Sequence, residues 1–397
     1  MTDPRSVVVV GASLAGLSAV RGLRAEGFTG PITVIGAEVH LPYDRPPLSK
    51  EFLSADDVDI ALVDGVDETL DAQWLLGRAA AGLATGADGS ISIRIADGST
   101  VSADVVVIAT GARARTLPGC GDLTGVHTLR TVDDALALRD SFTRTQRLTV
   151  IGAGFIGAEI AGTANALGLE VTIVEAASAP LAAALGPQIA GVCASLHARN
   201  GVRLLAGVGV GALTGDGRVD SVVLDEGTHV PADTVLIGIG SVPNTEWAAH
   251  PALLTDRGFV TDSSCRTTIP GVYAIGDCAR VYDENLRTHH RSEHWTNATT
   301  QARVVAAAIM GRTPPRRTAP YFWSCQYGRM LQFAGYSTPT DSLRVIDGAL
   351  DSPSFTAVYE REGEPVAVFA MDSPRLFTRY RKQIEAALNS VDATTAS

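Results

Sequence analysis

Lysine is scarce in this chain. Of 32 basic residues, two carry a primary ammonium, Lys50 and Lys382, and Lys50 closes the run YDRPPLSK (43–50). A compact cation on a flexible stem, behind two prolines that fix the backbone, suits a place where negative charge develops during a reaction. The alternative is a solvated loop lysine. Two other groups of residues could do chemistry. Gly11, Ser13 and Gly16 lead into Leu17, Val20 and Leu23 at helical spacing, and Gly152, Gly154 and Gly157 lead into a second such helix with Ile156, Ile160 and Leu167 on one face. In each, a turn of small residues lets backbone approach a phosphate, while a helix start offers unpaired N–H groups and a positive dipole end. About twenty residues further on stands an acid, Glu38 or Glu175, where a ribose hydroxyl would be accepted.

The elements that must position these residues are legible as strand, turn, helix, strand. SVVVV (6–10) and ITVIGAE (32–38) flank the first turn; LTVIGAGFIGAE (148–159) and VTIVE flank the second. Short β-branched runs closed by glycine read as buried parallel strands. Two such units about 140 residues apart predict an α/β chain with two Rossmann-like dinucleotide-binding domains, a far stronger signal than either alone. VSADVVVIATGA (101–112) is expected as one strand stopping at Thr110–Gly111, and PGVYAIGDCA (270–279) as another stopping at Gly276–Asp277. Asp277 is either a helix N-cap or an acceptor for ligand hydroxyls. Ser13 takes the middle glycine position and is small enough for a phosphate to pass. Glu175 is followed by Ala176 and Ala177, with no arginine to meet a 2′-phosphate, so NADH is expected over NADPH.

At 397 residues the chain should form two or three domains. Its net charge of -11 gives no overall attraction to nucleic acid or anionic membrane. Five widely spaced cysteines, Cys120, Cys193, Cys265, Cys278 and Cys325, include neither a CxxC pair nor zinc-ligand spacing. No metal site and a cytoplasmic location are expected. RSVVVVGASLAGLSAV has the outline of a signal peptide, but its glycines fall at nucleotide-binding spacing. No stretch approaches the roughly 18 apolar residues of a membrane span.

In order along the chain, GASLAG (11–16), YDRPPLSK (43–50), ATGA (109–112), LRT (129–131), GAGFIGAE (152–159), GIGSVPNTEW (238–247), YAIGDC (273–278), EHWTNA (293–298) and YFWSCQ (321–326) resemble the NADH-dependent, FAD-containing ferredoxin reductases. These serve haem-thiolate monooxygenases and Rieske oxygenases. The resemblance implies an FAD domain from residues 1–112 and 243–312, an NADH domain from 113–242 and a C-terminal α+β domain from 313–397. It implies that Gly11, Ser13, Gly16, Glu38, Arg45, Lys50, Ala109, Thr110, Gly111, Arg130, Gly276 and Asp277 hold FAD. Glu293, His294, Trp295 and Trp323 would lie near the flavin ring. Gly152, Gly154, Phe155, Ile156, Gly157, Glu159, Glu175 and Gly240 would hold or flank NADH. Cys325 stands where many relatives have Asp, and an inert thiol is expected there rather than a redox group.

Hydride transfer to flavin leaves negative charge on the ring. An ammonium ~4 Å away would contribute roughly 4 kcal/mol at an effective dielectric near 20, or about 90 mV for a two-electron couple, less whatever water screens. Glu159 either pairs with Lys50 when NADH binds or is a carboxylate held by the helix dipole. No early CxxxxC pair supports thiol chemistry. Arginines gather at RTPPRR (312–317) and along RLFTRYRKQIEAAL (375–388), either as a solvated face or as a dock for an acidic 2Fe-2S ferredoxin. The polar tail NSVDATTAS is expected to fray. Rival functions are a flavin-dependent NADH oxidase, a reductase of small quinone-like acceptors, and an NADH-sensing interaction flavoprotein.

Overall fold

The computed structural model describes residues 4–63, 67–86, 89–119 and 123–395. Its six α-helices are α1 (Leu14–Ala25), α2 (Val132–Phe142), α3 (Phe155–Ala166), α4 (Ala182–Arg199), α5 (Trp295–Ile309) and α6 (Pro374–Thr395). Two compact units form: Met1–Asp44, Ile60–Arg113 and Val242–Pro320 in the first, and Arg45–Asp59, Ala114–Ser241 and Tyr321–Ser397 in the second.

The first unit is built on a parallel sheet of strands 272–274, 105–108, 7–10, 32–35 and 72–75, in that order. Val7–Val10 is buried throughout, as a continuous β-branched run covered on both faces should be. Ala19, Val20 and Leu23 of α1 share one core with Ala302, Val305 and Ala306 of α5. Ile91, Ile93 and Ile95, from an antiparallel meander of strands 80–85, 91–95 and 100–103, share the other. The run 101–112 is therefore not one strand. It ends the meander at Ala103 and enters the parallel sheet at Val105. Asp104 makes the corner, its carboxylate accepting the Arg5 backbone N–H at 2.7 Å.

The second unit repeats the plan with parallel strands 203–206, 170–175, 147–151, 234–237 and 126–127. Of the apolar residues that mark α3 in the sequence, Ile160 is buried but Ile156 and Leu167 are 46% and 43% exposed. The buried side of α3 is made largely of small residues, Gly157, Ala158, Ala161, Gly162 and Ala164. Their size admits another backbone: a Cβ on Gly162 would lie 2.9 Å from the Tyr327 nitrogen.

Tyr327 belongs to the C-terminal part, an antiparallel sheet ordered 321–326, 329–335, 364–371, 355–361, 342–347, with Phe377 and Ile384 of α6 buried. This α+β part is the one read from the alternating strands. Its helix reaches Thr395, so residues 389–395 continue the helix instead of fraying. The Asn389 amide donates to the Glu385 carbonyl at 2.7 Å, occupying one acceptor of that turn. Among the described residues no helix is long and apolar enough to cross a membrane. Cys120 lies outside the described residues; the other four cysteines are unpaired.

Candidate active site

In the first unit, the strand 7–10 ends on Gly11 at φ +124°, where a Cβ would sit 2.0 Å from the Ala109 carbonyl oxygen. A Cβ on Gly16 would sit 1.9 Å from the oxygen of Gly11. Both positions require glycine. Ser13 does not, because it is the N-cap of α1 in extended backbone, φ -112°, which any residue adopts. The departure from a glycine triplet is thus sterically free. Glu38 follows the strand 32–35 and accepts the Tyr43 hydroxyl. Gly276 (φ +71°) opens a 3-10 turn containing Asp277, so Asp277 is not an N-cap; Ile275 is. The Gly276 N–H donates to Gln301 on α5 at 2.7 Å.

Two other segments close on the same unit. Thr110 donates its hydroxyl to the Asn244 carbonyl at 2.8 Å and accepts the Asn244 amide on its own carbonyl at 2.9 Å. The Trp295 indole donates to Asp44 at 2.8 Å. His294 is the N-cap of α5, and burial pushes its imidazole below the ordinary range, opposed by Asp277 and Glu293. Glu293 itself pairs with Arg291 at 2.6 Å.

The second unit repeats the cradle. Gly152 has φ +103°, with a Cβ placed 2.3 Å from the Gly238 oxygen, and a Cβ on Gly157 would lie 2.1 Å from the Gly152 oxygen. Gly154, the N-cap of α3, differs: a Cβ there would meet nothing within 4 Å. Its small size leaves the space outside the helix start open, as a phosphate site there would need. Glu175 ends its strand with both oxygens engaged by backbone, the Ala153 N–H at 2.7 Å and the Ala177 N–H at 2.8 Å. The carboxylate is thereby held in one orientation by backbone donors. Exposed Ile156 and Phe155, whose ring lies 4.6 Å from that of Phe322, flank the helix start. Gly240 (φ +96°) ends a nearby turn and accepts the Arg115 N–H at 2.9 Å. Both cradles fit a dinucleotide: close backbone, an open helix start and an acid at the strand end.

Also within the second unit, Lys50 and Glu159 meet. Pro46 and Pro47 start a 3-10 turn, Pro46–Ser49, whose C-cap is Lys50. The Lys50 ammonium donates to Glu159 Oε2 at 2.7 Å, to the Pro46 carbonyl at 2.8 Å and to Ser49 Oγ at 3.3 Å. Glu159, a turn into α3, also accepts Ser49 Oγ at 2.5 Å, Ser324 Oγ at 2.8 Å and the Cys325 N–H at 3.1 Å. The Lys50 and Glu159 side chains are 16% and 6% exposed. The two side chains form a largely buried ion pair, and Lys50 is no solvated loop lysine. Its charge is compensated, so the 90 mV of a bare ammonium is an upper bound that Glu159 reduces.

Arg45 and Arg130 are adjacent, the Arg45 guanidinium donating to the Arg130 carbonyl. Trp323 stacks on Tyr321 at 5.7 Å. Cys325 contributes its backbone N–H; burial pushes its thiol up, against the pull of Lys50. Cys193 and Cys265 are pushed up to about 12 and Cys278 to about 11 by burial. None of these is poised as a thiolate. Sequence reasoning missed Ser49, Asn244, Gln301 and Ser324; each lay inside or beside a quoted motif, but their hydrogen bonds span from 25 to 165 residues.

Two dinucleotide cradles with a buried Lys–Glu pair define a pyridine-nucleotide flavoprotein. The pyridine nucleotide-disulphide oxidoreductase model matches residues 5–302, and a reductase C-terminal model matches 321–397. Rhodocoxin reductase of Rhodococcus erythropolis is 37% identical, over 95% of this chain and 88% of its own length. The benzene 1,2-dioxygenase system ferredoxin–NAD(+) reductase subunit of Pseudomonas putida is 37% identical, over 96% of this chain and 92% of its own. The reductase of the covalent putidaredoxin reductase–putidaredoxin complex superposes with a TM-score of 0.91 at 32% identity, covering 97% of this chain and 94% of that one. The chain belongs to the pyridine nucleotide-disulphide oxidoreductase family and, within it, to the ferredoxin reductases.

Proposed function

We propose that this chain is an FAD-containing NADH:ferredoxin reductase, passing electrons from NADH to a 2Fe-2S ferredoxin that serves a haem-thiolate monooxygenase or a Rieske oxygenase. The observation that carries the reading is the pair of cradles, each with glycines forced by a carbonyl about 2 Å from a would-be Cβ and an acid at the strand end. In this reading the first holds FAD, through Gly11, Gly16, Glu38 and Asp277, and the second holds NADH, through Gly154, Gly157 and Glu175. FAD, when bound, supplies conversion of an electron pair into single electrons. The chain's own part is to orient, exclude water and set charge. Lys50 supplies a cation that favours the reduced cofactor, and Glu159 fixes where that cation stands. Glu175, without a nearby arginine, favours a free 2′-hydroxyl and hence NADH. A cytoplasmic location belongs to the same reading, supported by the unpaired described cysteines.

The test is to load the purified chain with FAD and follow the flavin's visible absorption under nitrogen. NADH should bleach it within seconds, NADPH far more slowly, and steady NADH consumption should require added ferredoxin. Rapid consumption with oxygen alone would make it an oxidase. One slow turnover with a change of oligomeric state would make it a sensor.

A further inference from the structure

We propose that Ser49 and Ser324 are positioning residues: their hydroxyls hold the buried Glu159 carboxylate as a fixed anion, and through it the Lys50 ammonium. The inference deepens the functional reading above and rests on it. Ser49 and Ser324 are 4% and 0% exposed, and they come from segments 275 residues apart that converge on one carboxylate of α3. Each hydroxyl is polarised toward Glu159 by a donor behind it. Lys50 Nζ donates to Ser49 Oγ at 3.3 Å, and Gln326 Nε2 donates to Ser324 Oγ at 3.2 Å. Each serine has one proton, and the shortest acceptor for each is Glu159, one on each oxygen; for Ser49 the Pro46 carbonyl is a longer alternative at 3.4 Å. A carboxylate held this way, by one hydroxyl on each oxygen, resists rotation.

The surrounding acidic groups leave Glu159 as the partner of Lys50. Asp372 is spent on Arg329 at 3.0 Å and the Met330 N–H at 2.8 Å, Glu51 is exposed, and burial keeps the Cys325 thiol protonated. Ser324 faces inward on its strand while Cys325 takes the other face, so the hydroxyl and the Cys325 N–H reach the same oxygen from consecutive residues. That is a built arrangement rather than one stray contact.

The scarcity of lysine makes a clean assay. The FAD-loaded protein is treated briefly with acetic anhydride, and acetylation at Lys50 is read by peptide mass spectrometry against exposed Lys382 as internal reference. Ser49→Ala and Ser324→Ala should each raise the Lys50/Lys382 ratio about tenfold, the low end of the loss expected for one hydrogen bond to a charged group, and the double variant should raise it further. Ser324→Thr, which keeps the hydroxyl, should restore the parental ratio. In a Glu159→Gln background the serine changes should add nothing, since the anion they hold is gone. Bound flavin and circular dichroism certify that each variant is folded, and the single variants serve should the double not fold. An unchanged ratio, or an equal increase in the Glu159→Gln background, overturns the proposal. Failure of the parent to be bleached by NADH overturns the functional reading separately, since the acetylation ratio does not depend on turnover.

Discussion

Replacing Lys50 by Met should destabilise the folded protein by an amount that depends on pH in a calculable way. The variant leaves Glu159 buried, with Ser49, Ser324 and the Cys325 N–H as donors but no counter-charge. The cost of a lone buried charge is capped, because the carboxyl can take a proton instead. For a glutamate with an ordinary solution value of about 4.3, protonation at pH 7 costs about 3.7 kcal/mol, and at pH 5 about 1 kcal/mol. The expected deficit is therefore about 3 kcal/mol at pH 7, narrowing to about 1 kcal/mol or less at pH 5. As pH falls, the folded variant binds a proton that the unfolded chain does not, so its stability relative to the parent rises. Glu159→Gln should cost less, about 1 kcal/mol, because Lys50 keeps the Pro46 carbonyl and some access to solvent. Urea unfolding of the FAD-loaded parent and both variants from pH 5 to pH 8 measures all of this. A Lys50→Met deficit that does not change with pH, or one smaller than that of Glu159→Gln, would refute the reasoning.

Three other outcomes are expected. Burial holds the His197 imidazole down to about 4, against the Tyr327 hydroxyl at 2.6 Å, so folded-state stability should be full above about 6.5 and decline on the order of 3 kcal/mol as pH falls to 4; His197→Gln should flatten that slope in urea titrations. Gly16→Ala should abolish FAD retention and Gly157→Ala should weaken NADH binding at least tenfold with FAD still bound, since their Cβ atoms would meet carbonyls at 1.9 Å and 2.1 Å; flavin absorbance and NADH titration separate the two. Arg375, Arg379 and Lys382 line the exposed face of α6, whereas Arg317 is tied to Glu284. Arg379→Glu with Lys382→Glu should thus slow ferredoxin reduction about tenfold at low salt and little at high salt, while unchanged rates would remove α6 as the docking face.

What could be read from the sequence was what is local. The glycine at φ +124°, the buried valine run and the acid after the next strand are each announced by residue types within a few positions, and the structure holds all three. Two readings failed because a second segment decided them. Asp104 splits an apparently continuous strand because Arg5, 99 residues earlier, holds its carboxylate. Ile156 has the spacing of a core residue, yet α3 buries glycine and alanine because the backbone of Tyr327 needs the room. A third, the frayed polar tail, failed within one element, since α6 runs on to Thr395.

Lys50 shows the same division in one residue. Its type and its two prolines announce a fixed cation, but its partners do not appear in the sequence as partners: they stand 109 residues away on α3 and, through Glu159, 165 residues further on a C-terminal strand. A bare ammonium and a neutral pair act differently on a nearby anion, since the field of a pair falls off faster than that of a single charge. The residue that decides how much of the Lys50 charge is felt is thus Glu159, and what decides Glu159 is a pair of serines. Substitutions at Glu159 should consequently move the cofactor's potential upward, by exposing the cation, while Lys50→Met moves it downward. Potentials of equal sign in the two variants would mean that the pair acts through packing and not through charge.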